Sequence, residues 1–95
     1  MDKRLKNKKA IVTGGSRGIG EGIVKRLYNE GVEIIIADIR EELAESLIKD
    51  LDHNQVSFFQ TDLSKEEEIK KLMDYTKTKF GSLDFLINNA GIEDG

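Results

Sequence analysis

The sequence predicts an α/β fold, a parallel sheet with helices on both faces, with elements in the order β-α-β-α-β-α-β. Two observations predict it. Short apolar runs alternate strictly with stripes of helical period along the 95 residues. Glycines stand where the runs and stripes meet, and the chain contains no proline to compete with them as punctuation. Alternation of this kind implies parallel strands joined by right-handed crossovers.

Ala10-Ile11-Val12 is a short apolar run with turn glycines behind it, and it reads as a buried strand. From Ile19 the period changes: Ile19, Ile23, Val24 and Leu27 form a helical stripe that Gly31 stops. Val32 to Ala37 contains Ile34-Ile35-Ile36, apolar on both faces, as a strand covered on both sides must be. Leu43, Ala44, Leu47, Ile48 and Leu51 make the second helical stripe. Val56 to Thr61 is the third strand. Ser64-x-x-Glu67 has the form of a capping box and is expected to open a helix with stripe Ile69, Leu72, Met73, Thr76 and Phe80, closed by Gly81. Phe85-Leu86-Ile87 is the fourth strand and runs into Asn88-Asn89-Ala90-Gly91.

Composition bounds the function. Ninety-five residues suffice for one small domain, so residues 1–95 are expected to form one domain with no second. With 38% hydrophobic and 35% charged residues the composition is that of a folded domain, not of a disordered chain. A net charge of −3 and only isolated lysine pairs, Lys8-Lys9 and Lys70-Lys71, argue against a nucleic-acid surface. The absence of cysteine excludes a disulfide scaffold and a thiolate metal site. The single histidine, His53, lies in the polar stretch Asp52-His53-Asn54 and reads as a surface residue; no metal ligand is expected. No apolar run approaches membrane-spanning length and the N-terminus lacks a signal-peptide pattern, so a soluble, cytoplasmic protein is expected, without membrane partners.

Thr13-Gly14-Gly15-Ser16-Arg17-Gly18-Ile19-Gly20 lies between the first strand and the first helix. A pyrophosphate needs close backbone approach, unpaired N–H donors and a helix N-terminus, and a glycine turn at a helix start supplies all three. Two other phosphate loops are excluded by single residues. Gly15 to Gly20 matches Walker A spacing, but Glu21 follows where a lysine is required. Counting G-x-G-x-x-G from Gly18 puts Ile23 where the third glycine should stand. The wider G-x-x-x-G-x-G spacing remains.

Preceded by Thr13, that spacing resembles the T-G-x-x-x-G-x-G signature of the short-chain dehydrogenase/reductase family. Asn88-Asn89-Ala90-Gly91 is similar to the family's N-N-A-G motif after the fourth strand, and Asp62-Leu63 resembles its adenine-pocket aspartate and the following residue. The resemblance spans essentially the whole chain. It implies a Rossmann-type sheet, its first half plus a fourth strand, that binds a nicotinamide dinucleotide. The implied cofactor contacts are Gly14, Ser16, Arg17, Gly18, Ile19, Gly20, Asp38, Asp62, Leu63, Asn89, Ala90 and Gly91.

Asp38 follows the second strand, twenty positions beyond Gly18, a spacing at which a carboxylate takes the adenosine ribose hydroxyls. It would also repel a 2′-phosphate; two unit charges about 4 Å apart cost roughly 4 kcal/mol at a surface-like dielectric. NAD is therefore expected over NADP. Arg17 and Arg40 oppose that preference and reduce it.

The family's serine, tyrosine and lysine, which carry proton transfer during hydride exchange between the nicotinamide and a carbonyl or alcohol carbon, follow the N-N-A-G motif. The chain ends four residues past Gly91, so it is expected to be an N-terminal portion, inactive alone, with no catalytic residue of its own. Tyr75-Thr76-Lys77-Thr78-Lys79 fits Y-x-x-x-K, yet it precedes Asn88 on the third helix and is not expected to act. Two other readings stand beside this one: a nucleotide-binding or regulatory module without chemistry, and a subunit completed by a separate chain. The fourth strand is an exposed apolar edge, through which an oligomer or complementing chain is the expected partner.

Overall fold

The computed structural model describes residues 5–14 and 18–89. Seven elements follow in the expected order: β1 (Lys9–Thr13), α1 (Gly18–Asn29), β2 (Glu33–Asp38), α2 (Glu41–Ile48), β3 (Val56–Gln60), α3 (Glu66–Phe80) and β4 (Phe85–Asn88). The strands form one parallel sheet in the order β3-β2-β1-β4. The chain lays β2 and then β3 on one side of β1 and returns to place β4 on the other. A crevice opens at such a reversal, outside the carboxyl ends of β1 and β4.

Period-two alternation in β2 sorts the core. Ile34 and Ile36 join Ala10, Val12, Val24, Val32 and Val56 on one face, beneath Ile23 and Leu27 of α1 and Leu47 and Ile48 of α2. Ile35 and Ala37 join Ile11 and Leu72 on the other face, flanked by Phe59, Tyr75, Phe80 and Leu83. Ile11, Ile34, Ile35 and Ile36 are fully buried, as the triple isoleucine run requires of a strand covered twice.

Three local readings need correction. Ile19 begins the helical stripe in sequence but is 59% exposed. It lies in the first turn of α1, which overhangs the carboxyl edge of the sheet; the buried residue of the stripe is Val24. Leu51 lies beyond α2, which ends at Ile48, and packs on the core from the following turn. The box of Ser64 and Glu67 does not form: α3 begins at Glu66 behind Lys65, with no side-chain cap. The Ser64 hydroxyl is taken by Asp62, which accepts from it at 2.6 Å and from the Ser64 N–H at 3.0 Å. This turn leaves Ser64 one residue ahead of the Lys65 cap position, so its hydroxyl does not stand at the helix start. Glu68, not Glu67, reaches back and accepts the Asp62 N–H at 3.0 Å.

His53 is exposed, as expected, and its Nε2 lies 2.9 Å from the Ile48 carbonyl at the end of α2. Among the described residues no helix is long and apolar enough to cross a membrane.

Candidate functional site at the carboxyl edge of the sheet

Register places the site. Thr13 lies level with Ala37 on one side and Asn88 on the other, and Asp38 lies level with Gln60. One residue further out, Gly14 still donates its N–H to the Ala37 carbonyl at 3.0 Å, and Thr61 to that of Asp38 at 3.0 Å. The strand ends therefore form a hydrogen-bonded rim with Gly14, Asp38, Thr61 and Asn89 along it.

The β1–α1 turn and β4 are joined by side chains. The Thr13 hydroxyl donates to Asn88 Oδ1 at 3.0 Å and accepts the Asn89 N–H at 2.9 Å. Asn89 is fully buried and its Nδ2 donates to the Gly14 carbonyl at 3.0 Å. Among the described residues its Oδ1 is buried with no partner. Thr13 was expected only as the residue before the glycines; it is the hinge pin between the two strand ends, and its place in the T-G signature was the signal.

The glycines serve two different needs. Gly14 and Gly18 have φ of 65° and 62°, a left-handed conformation that residues with a Cβ adopt at a cost. Gly20 is a matter of space. A Cβ there would stand 2.0 Å from the Gly14 carbonyl oxygen and 2.6 Å from Asn89 Nδ2. Only a glycine lets α1 start this close to β1 and β4. Glu21, in the same first turn, pairs along the helix with Lys25 at 3.0 Å.

At the end of β2 the Asp38 carboxylate is buried, 4% exposed. Arg40 forks it, with Nε donating to Oδ1 at 3.0 Å and Nη2 to Oδ2 at 3.2 Å, while the Arg40 backbone N–H donates to Oδ1 at 3.1 Å. Ile39 beside it is 56% exposed, a large apolar surface at the rim that nothing in its sequence setting singled out.

Asp62 lies past β3 with Leu63, both partly exposed. The Ser64 hydroxyl and backbone N–H hold the Asp62 carboxyl below the usual carboxylate range, and Lys65 lowers it further. The turn occupies Oδ1; Oδ2 has no bond among the described residues. Ile39, Phe59, Gln60, Asp62, Lys65 and Glu68 border a shallow open pocket at this corner.

Gly14, Gly18, Ile19, Gly20, Asp38, Asp62, Leu63 and Asn89 thus all lie at or next to the carboxyl edge. The expected contacts Ser16, Arg17, Ala90 and Gly91 lie outside the described residues. Tyr75 does not reach this edge. Its ring stacks on Phe59 with centroids 4.5 Å apart. Nine residues from the start of α3, it sits about 13 Å along the helix from the crevice end.

A parallel sheet whose strand order reverses at β1, with glycines at the start of α1 and a carboxylate at the end of the neighbouring strand, is a Rossmann-like fold. The model of the family described as short chain dehydrogenase matches residues 8–95, and the chain belongs to that family. It is 40% identical over 93 residues to (+)-cis,cis-nepetalactol synthase NEPS3 of Nepeta racemosa, covering 97% of this chain and 34% of that protein. It is 39% identical over 95 residues to (+)-borneol dehydrogenase 1 of Salvia officinalis, covering all of this chain and 36% of that protein. The solved structure of menthone neomenthol reductase from Mentha piperita superposes with a TM-score of 0.77 at 41% identity, over 87% of this chain and 31% of that one. The chain thus spans about a third of the length of the relatives it matches.

Among the described residues no group of three acidic or histidine side chains is arranged to hold a metal ion.

Proposed function

We propose that these 95 residues are the nicotinamide-dinucleotide-binding portion of a short-chain dehydrogenase/reductase oxidoreductase, and that they prefer NAD to NADP. The observation that carries this reading is the buried Asp38 carboxylate at the end of β2, one strand from the glycine turn at the sheet's reversal point. A ribose diol donates two hydroxyl hydrogens, and a fixed carboxylate is the acceptor that suits it.

In this reading the pyrophosphate lies at the start of α1, on the backbone of Gly18, Ile19 and Gly20, with Gly14, Ser16 and Arg17 completing the turn. Asp38 takes the adenosine ribose. Asp62 accepts from the adenine amino group through Oδ2, and Leu63 packs beside the ring. Asn89, Ala90 and Gly91 border the second ribose. The bound dinucleotide supplies or accepts the hydride; this chain's residues hold its adenosine end. The reaction with a carbonyl or alcohol substrate belongs to proteins of the relatives' full length, and the 95 residues alone bind without turnover. A cytoplasmic location is part of the same reading.

Calorimetric titration tests it. NAD is expected to bind saturably at one site, and Asp38→Ala to weaken it by tenfold or more. A folded chain that binds neither NAD nor NADP overturns the reading.

A second arrangement has one specific observation in its favour. Among the described residues β4 pairs only with β1, and Leu86 is 59% exposed on it. A complementing chain or a second copy would pair along this edge. Sedimentation at rising concentration reads it, and a monomer at all concentrations argues against the second copy.

A further inference from the structure

Resting on the dinucleotide reading, we infer that Glu68 is a positioning residue for the cofactor's base: from the first turn of α3 it holds the Asp62 backbone, and so presents the one unbonded carboxylate oxygen of Asp62 to the adenine amino group.

The strand ladder does not reach Asp62. β3 ends at Gln60, level with Asp38, and the last bond to β2 runs from the Thr61 N–H to the Asp38 carbonyl at 3.0 Å. The Asp62 N–H therefore has no strand to bond, and a half-buried donor left in that state is costly. Glu68, six residues later, accepts it through Oε1 at 3.0 Å. Side chains on a helix lean toward its N-terminus, so a glutamate in the first turn of α3 reaches back over the turn that precedes it. Glu66 and Glu67 share that first turn but are exposed, whereas Glu68 is half-buried.

With Glu68 in place the polar groups of Asp62 are occupied, one excepted. The Asp62 carbonyl accepts the Lys65 N–H at 3.0 Å. Its Oδ1 accepts the Ser64 N–H at 3.0 Å and the Ser64 hydroxyl at 2.6 Å. Oδ2 accepts no bond among the described residues, and Asp62 and Glu68 border the same pocket with Ile39 and Phe59. A carboxylate can only accept, so Oδ2 selects a base that offers it an N–H. The turn carrying Asp62 hangs between two anchors, Thr61 on β2 and Glu68 on α3. Hydrogen bonds weaken steeply when misdirected, so the second anchor decides how well Oδ2 meets its donor.

The experiment measures dissociation constants of the 95-residue chain for NAD and for its hypoxanthine analogue, which carries the same charge but a carbonyl oxygen in place of the adenine amino group. The unaltered chain is expected to bind NAD at least tenfold more tightly, because a carbonyl set against Oδ2 leaves two acceptors without a donor. Glu68→Ala is expected to bring the two constants within about threefold of each other. Glu68→Asp keeps the charge but falls one methylene short of the Asp62 N–H, and the same collapse is expected; it carries the test if Glu68→Ala fails to fold. Glu68→Gln keeps both the reach and an acceptor oxygen, and is expected to hold the ratio within threefold of the unaltered chain. A residue that only steadied the start of α3 would weaken both dinucleotides together and leave the ratio where it was. A ratio unmoved by Glu68→Ala or Glu68→Asp overturns the inference, as does a ratio near one in the unaltered chain, while NAD binding in either case upholds the function proposed above. Failure of the unaltered chain to bind any of these dinucleotides, or NADP, overturns both.

Discussion

The two faces of the sheet are built differently. Two helices, α1 and α2, cover the face of Ile34 and Ile36, and its buried side chains run from β3 across to β1, with Phe85 and Ile87 of β4 packed at the margin. One helix, α3, serves the face of Ile11 and Ile35. Leu86, level with Ile11 and so on that same face, is 59% exposed, and Ile69 and Met73 of α3 are 39% and 42% exposed. Two consecutive crossovers lie on one face, whereas the single return from β3 to β4 must cover the other. The closed face supplies stability; the second leaves apolar surface over β4 open to a further element.

The largest expected effect tests that contrast. Ile36→Ala on the closed face is expected to cost about 2–5 kcal/mol in urea unfolding, through lost burial and the cavity left behind. That is a large part of the roughly 5–15 kcal/mol that holds a domain folded. Leu86→Lys on the open face is expected to change stability by less than about 0.5 kcal/mol while raising solubility. Equal losses at the two positions would break the comparison.

Gly20→Ala comes next. Its Cβ meets backbone, the Gly14 carbonyl, which cannot swing away as a side chain can. A loss of about 1–3 kcal/mol is expected, together with at least a tenfold weaker grip on dinucleotide. Unchanged binding would show that the close approach of α1 to β1 is dispensable.

Ser57 sharpens the picture of the α3 face. It lies level with Ile35, and among the described residues its hydroxyl is buried without a partner. Ser57→Ala is expected to be neutral or to stabilise by up to about 1 kcal/mol, since no bond is lost and an unpaired polar group is removed. A clear loss of stability would mean that the hydroxyl bonds within the fold.

The smallest effect concerns pH. Asp62 is held below the ordinary carboxylate range, by the Ser64 hydroxyl first. Its charged form is therefore favoured by folding. That contribution is complete above the unfolded value and fades as pH falls from about 4 through the lowered one. Carboxyl chemical shifts followed by NMR should place Asp62 at the acid end, and Ser64→Ala should move it upward. No movement would detach the shift from the turn.

Strand and helix order was legible because apolar periods of two and of about four residues are written locally, and Gly31 and Gly81 end their helices where expected. Element ends were less so. The Ser64-x-x-Glu67 pattern was sound as a local signal, but the turn at Asp62 starts the helix one residue later, behind Lys65, with Ser64 bonded to Asp62. Ile19 fitted the stripe by spacing alone; whether a helix's first turn lies over the sheet or beyond it depends on where the strand beneath it stops.

The sequence by itself determined the alternation of elements, the glycine turn and the family, because each rests on residue types at fixed spacings along the chain. Only the tertiary structure decided what Gly20 is for, that Thr13 and Asn89 pin β1 to β4, and that the Asp38 charge is shared with Arg40. Two of these join residues about 70 positions apart, and the third depends on a side chain turning back on its own strand. Spacing along a chain carries no distance across a sheet until the strands have paired.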